Sequence, residues 1–140
     1  MYRLIILFLC VLGANATTKL LAIFQEHALK TGLDCLSEVD ATMDDLKSII
    51  NHDMPTTRAK MCLITCIHEK FGIQDANGKM LKDQTIAFLD VLKDDPPYHN
   101  LAKDHFLHCL ETVSETDEKC TIGANLMRCI VVGGNEKGIF

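Results

Sequence analysis

Arg58-Ala59-Lys60-Met61-Cys62-Leu63-Ile64-Thr65-Cys66-Ile67-His68-Glu69-Lys70 reads as one helix carrying two cysteines on a single face. Thr56 or Thr57 supplies its cap and Phe71-Gly72 its end. From Ala59 to Ile67 the residues are nearly all apolar, which predicts a central helix covered on several sides. Cys62 and Cys66 lie four positions apart, so both project from one face. Their bond vectors run parallel, and pairing them with each other would distort the helix. Each therefore staples this helix to a different element.

Working outward, the helical period holds along the rest of the chain. Lys19 to Thr31 sets Leu20, Ile23, Phe24 and Ala28 on one stripe with His27 among them, and Gly32 reads as its stop. A short turn at Asp34 to Val39 carries Cys35. Thr42 caps a helix through Ile50 or Asn51, with Asp44 and Asp45 in its first turn. Asp75-Ala76-Asn77-Gly78 is a turn whose flanks do not alternate as strands do. Asp83 caps a helix to about Lys93, and Asp95-Pro96-Pro97 separates it from another that ends near Val113. Thr116 or Asp117 caps a last helix to about Val132, which Gly133-Gly134 ends, releasing a tail. The expected fold is all-α, a single domain of about six helices.

The chain has 140 residues, seven of them cysteine, and a formal charge of −5. Arg3, the apolar run Leu4 to Leu12 and Ala14-Asn15-Ala16 read as a secretory leader, 1–16, cleaved after Ala16. The remaining domain, 17–140, holds 13 basic and 19 acidic residues and six cysteines. No dense Lys/Arg cluster points to nucleic acid, and no later segment has the apolar length for membrane insertion. An even number of cysteines in a secreted chain reads as three disulfides. Cys62, Cys66 and His68, or His105, His108 and Cys109, have the residue types of a zinc site, but the secretory setting favours bridges over metal. Cys120 and Cys129, nine positions apart on one helix, are too far apart to pair. Helix geometry thus leaves ten of the fifteen pairings of six cysteines open.

No Gly-x-Ser-x-Gly elbow, phosphate loop or His-Glu-x-x-His helix is present, so no catalytic residue and no cofactor is assigned. A secreted helical enzyme of phospholipase type would need a His-Asp arrangement and a Gly-rich calcium loop that this chain lacks.

The intervening counts between the six cysteines, 26, 3, 42, 10 and 8, closely resemble the insect odorant-binding protein family, which includes the pheromone-binding members. The gaps Cys62-x3-Cys66 and Cys120-x8-Cys129 are the most specific features. The likeness extends to the loop from Phe71-Gly72-Ile73 to Asn77-Gly78-Lys79. The resemblance implies interlocked bridges Cys35–Cys66, Cys62–Cys120 and Cys109–Cys129, and an apolar ligand cavity between the helices. It implies a non-enzymatic carrier of small hydrophobic ligands (odorants, pheromones or lipid-like molecules) in sensillum lymph or another body fluid. It further implies a membrane odorant receptor as recipient and allows a homodimer. The competing expectation is a secreted interaction protein with a filled core, acting outside chemosensation.

Expected lining residues on the inward stripes are Phe24, Met54, Ile86, Leu89, Leu92 and Ala102, then Phe106, Met127 and Ile130. Phe88 and Leu110 are close competitors. In related proteins the segment after the sixth cysteine folds over the pocket, so Ile139 and Phe140 are expected at one mouth. A polar ligand end would meet Thr57, Thr65, Thr112, Ser48, Tyr98, a histidine or backbone. Among the histidines, His27 on its apolar stripe and His105 beside Cys109 are the candidates for a pH switch. His52, His68 and His99 read as surface or helix-end residues.

Overall fold

The computed structural model describes residues 19–140. The leader at 1–16, its cleavage point and Cys10 lie outside the described residues. Six α-helices follow in order: α1 (Lys19–Leu36), α2 (Met43–Ile50), α3 (Arg58–Phe71), α4 (Lys82–Leu89), α5 (Pro96–Thr112) and α6 (Lys119–Glu136). A 3-10 turn, Asp90–Leu92, extends α4. The described residues form no strand; Gln74 and Met80 make one isolated antiparallel bridge across the Asp75–Gly78 turn.

Local chemistry sets the helix starts. Thr42 and Asp45 form a capping box at α2: Asp45 N–H donates to Thr42 Oγ1 at 3.2 Å, and Thr42 N–H donates to Asp45 Oδ2 at 2.9 Å. Thr57 Oγ1 accepts from Lys60 N–H at the head of α3. Asp95 caps α5, where Pro96 and Pro97 occupy first-turn positions that need no N–H partner.

Four expected boundaries are corrected. Helix α1 runs through Gly32 to Leu36 and carries Cys35 itself. A Cβ at Gly32 would collide with the side chain of Leu46, so this glycine serves the approach of α1 to α2. Asp83 is not the cap of α4. Leu81 holds that place with no side-chain bond, and Asp83 sits in the first turn, where its charge suits the helix dipole. Glu118, not Thr116 or Asp117, caps α6 by accepting from Cys120 N–H and Thr121 N–H at 3.1 and 3.3 Å.

Last, α6 continues through Gly133-Gly134 to Glu136. Those glycines make room for neighbours: a Cβ at Gly133 would stand 2.5 Å from His105 Cε1, and one at Gly134 2.6 Å from Phe140 Cε2. The terminating glycine is Gly138, in the left-handed region at φ 72°. Its N–H donates to Asn135 O and the N–H of Ile139 to Gly134 O, the paired bonds of a Schellman end. Helix α3 ends the same way, with Gly72 at φ 76° and the N–H groups of Gly72 and Ile73 bonded to Glu69 O and His68 O.

Helix α3 is central and packs on α6, α1 and α2. Leu63, Ile64 and Ile67 are fully buried along it. Three disulfides join Cys35–Cys66, Cys62–Cys120 and Cys109–Cys129, closing separations of 31, 58 and 20 residues. Each closure contributes about 3–4 kcal/mol on a loop-entropy account. The first ties α3 to α1, the second ties α3 to α6, and the third ties α5 to α6.

One turn beyond Cys120, α6 crosses α3 at Gly123. A Cβ there would collide with Thr65 Oγ1 and come within 3.0 Å of Thr65 Cα. Thr65 cannot simply swing away, because its hydroxyl donates to Met61 O at 2.8 Å. Gly123→Ala is therefore expected to cost roughly 1–3 kcal/mol by overpacking, measured by urea unfolding. Adding Thr65→Ala should recover part of that loss. Equal midpoints for wild type and Gly123→Ala would contradict the close crossing.

Candidate functional site

All five phenylalanines of the described residues converge on one cavity: Phe24 from α1, Phe71 closing α3, Phe88 from α4, Phe106 from α5 and Phe140 from the tail. Phe71 and Phe88 stack at 5.3 Å, and Phe24 meets Phe71 edge-on at 6.3 Å. Leu20, Ile73, Met127, Ile130 and Val131 complete the apolar wall. The rings close tightly on one another. The cavity volume is about 20 Å³, roughly what one water requires.

Of the expected lining residues, the structure brings together Phe24, Phe106, Met127, Ile130 and Phe140. Leu89, Leu92 and Ala102 are fully buried but belong to the core behind the wall. Adjacent Phe88 faces the cavity instead, since one residue turns a helix by about 100°. The competitor Leu110 is core as well. Met54 packs against the cluster around α2 and α3, and Ile86 is half-buried outside the wall. Ile139 is buried in the core beside the pocket, leaving Phe140 as the lining residue of the pair.

Of the polar groups expected at a ligand's polar end, the wall holds histidines and none of the hydroxyls. Thr57, Thr65, Thr112 and Ser48 all spend their hydroxyls locally: Thr57 on its cap, Thr65 on Met61 O, Thr112 on His108 O and Ser48 on Asp53. Tyr98 donates its hydroxyl to Ile139 O at 2.6 Å. The polar residues of the wall are His52 and His68, both read from sequence as surface or helix-end positions. His68 is 3% exposed. Its Nδ1 meets Gln74 Oε1 at 2.8 Å, and Gln74 Nε2 donates to Gly78 O at 3.0 Å. His52 follows α2 at φ 62° and stands edge-on between Phe24 at 4.9 Å and Phe140 at 5.0 Å. Its Nε2 is buried without a hydrogen-bond partner.

The two histidines singled out as pH-switch candidates lie outside the wall. His27 is exposed on α1, 6.4 Å from Phe71. His105 is buried between α5 and α6, where its Nε2 donates to the carbonyls of Cys129 and Ile130, each at 3.1 Å. Of the wall residues left off the expected list, Phe71 and Phe88 carried a signal: the sequence spends its few phenylalanines on this pocket and nowhere else among the described residues.

Burial disfavours charge on the enclosed imidazoles. It pushes His68 down to about 4 from an ordinary 6.5, against a small opposing effect of Gln74. Burial also lowers His52 and His105. Between pH 6.5 and about 4 the unfolded chain binds a proton at His68 that the folded chain refuses. Stability therefore falls as the pH drops through that window. The urea midpoint should decrease from pH 7 to pH 5, with His68 alone contributing on the order of 2 kcal/mol. His68→Asn should flatten the slope; an unchanged slope would contradict a neutral buried His68.

Comparison with known proteins bears on the same architecture. The PBP/GOBP family model matches residues 18–132. General odorant-binding protein 19d of Drosophila melanogaster is 28% identical over 142 residues, covering 97% of this chain and 90% of the relative. General odorant-binding protein 28a of the same organism is 36% identical over 52 residues, 37% of this chain and 36% of the relative. Among solved structures, odorant-binding protein dmelOBP28a of Drosophila melanogaster superposes with a TM-score of 0.69 at 24% identity, covering 89% of this chain and 99% of that one. A pheromone-binding protein of the cockroach Leucophaea maderae, in complex with the fluorescent reporter 1-anilinonaphthalene-8-sulfonic acid, gives 0.68 at 20% identity over 78% and 93%. With six helices and three bridges among the described residues and a matching family model, the chain belongs to the PBP/GOBP family of odorant-binding proteins.

Proposed function

We propose that this protein is a secreted, non-enzymatic carrier that encloses a small hydrophobic ligand among its helices and moves it through aqueous lymph. The observation that carries the reading is the cavity walled by five phenylalanines in a chain of this family. Apolar burial supplies the affinity: each ligand methylene removed from water is worth about 0.8 kcal/mol. The cavity is nearly closed, so a ligand enters by swinging rings aside. Met127 suits this, because a thioether chain adapts to different shapes.

The tail is the movable part of the wall in this reading. Residues 137–140 follow α6, Ile139 is held by Tyr98, and Phe140 lies across Gly134. Phe140 covers one mouth of the pocket, anchored there by the buried Ile139. Delivery to a membrane odorant receptor, and any homodimer, belong to this proposal as the family role.

A secreted interaction protein with a filled core is the second reading, and the small cavity volume favours it. Native mass spectrometry of purified protein separates the two, since a carrier should retain or take up an apolar molecule. Titrated 1-anilinonaphthalene-8-sulfonic acid should brighten on binding and be displaced by 1-decanol. No brightening and no adduct would leave the filled-core reading. Deleting Gly138 to Phe140 should speed release of the reporter several-fold in stopped flow. An equal off-rate would remove the tail from the pocket wall.

A further inference from the structure

Two imidazoles stand in an otherwise apolar wall, and their hydrogen-bond roles follow from their neighbours. Gln74 Nε2 is committed to Gly78 O, which turns Gln74 Oε1 toward His68 Nδ1. A carbonyl oxygen only accepts, so Nδ1 carries the proton and Nε2 keeps a bare lone pair. Burial holds this ring neutral, so Nε2 stays an acceptor across the physiological range. His52 contributes a second nitrogen, Nε2, enclosed and without a partner. Its backbone is fixed in the left-handed region, with its N–H donating to Ile49 O, so the ring is held between Phe24 and Phe140. A buried polar atom left unmatched costs about 1–3 kcal/mol, and a ligand that satisfies it recovers that cost.

We propose that the pocket selects ligands that carry a hydroxyl on an apolar body, an alcohol or a phenol, and that His68 Nε2 and His52 Nε2 are the atoms that read it. A hydroxyl donates its proton to His68 Nε2. Its oxygen accepts from His52, whose tautomer is free to place a proton on Nε2. Ethers and esters of the same shape offer no proton and leave the His68 lone pair unmatched. This specificity rests on the carrier reading above.

The test compares 1-decanol with decyl methyl ether as displacers of 1-anilinonaphthalene-8-sulfonic acid. Wild type should bind the alcohol about tenfold tighter, the worth of one hydrogen bond of about 1.4 kcal/mol. His68→Asn places an amide N–H where Nδ1 stood, keeps a donor for Gln74 and deletes the acceptor. His52→Asn suits the left-handed backbone and deletes the second nitrogen. Each should shrink the alcohol-to-ether ratio several-fold, and the ratio is the readout because the lost ring contacts act on both ligands alike. Equal affinity of wild type for alcohol and ether would overturn the proposal. So would a full ratio retained in both variants. If His68→Asn fails to fold, the wild-type ratio and His52→Asn still decide it. Failure of wild type to bind the reporter or either displacer would instead sink the carrier reading itself.

Discussion

Two cysteines four residues apart on α3 set the constraint on which the other elements depend. Cys66 bonds Cys35 on α1 and Cys62 bonds Cys120 on α6, so one face of the central helix is covalently fixed to two neighbours. At about 100° per residue, His68 and Phe71 fall on roughly the opposite face. Helix α3 is thus divided along its length. One side is stapled and tightly packed, as the Thr65–Gly123 crossing shows, and the other side looks into the aromatic cavity. A wall built around a cavity gives up packing contacts, and crosslinks on the far side offset that loss without filling the cavity.

The same division governs the electrostatics. Burial lowers His52, His68 and His105 alike, yet only the first two border the cavity. His105 satisfies two carbonyls at the crossing of α5 and α6 and acts as a structural polar link. His68 on α3 is anchored through Gln74 to the following loop, so this loop holds the imidazole in place and itself carries Ile73 into the wall. Protonating either cavity histidine would place a charge among phenylalanine rings, which destabilises the closed arrangement.

How far the fold was legible depends on the range of the interaction involved. Thr42, Thr57 and Asp95 act on N–H groups within their own first turn, and those helix starts were readable from sequence. Gly32, Gly133 and Gly134 were misread as stops because their reason is tertiary: each makes room for a side chain from elsewhere in the chain. The site was legible by stripe but not by register. Phe24, Phe106, Met127 and Ile130 were found on inward faces, whereas Leu89 was preferred to Phe88 because both are apolar and only packing decides which faces the cavity. His52 and His68 were missed because a polar side chain beside a helix end looks solvated until the neighbouring rings are in place.

Where the helices end explains how the last wall elements arrive. A Schellman end turns the chain back along its own helix and buries the residue after the glycine. In α3 that residue is Ile73, which lines the cavity, and in α6 it is Ile139, whose carbonyl accepts from Tyr98 of α5. Both turns need a left-handed residue, supplied by Gly72 and Gly138. The second turn works only because α6 runs past Cys129 to Glu136. Had it stopped at Gly133-Gly134, no Schellman turn would follow at Gly138 to direct Ile139 toward Tyr98. Phe140 could then not lie over Gly134 against His52. The small side of α6 and the turn at its end are therefore one device. Gly134, which clears space on the helix, also seats the ring that the turn brings back, and so completes the wall of the pocket.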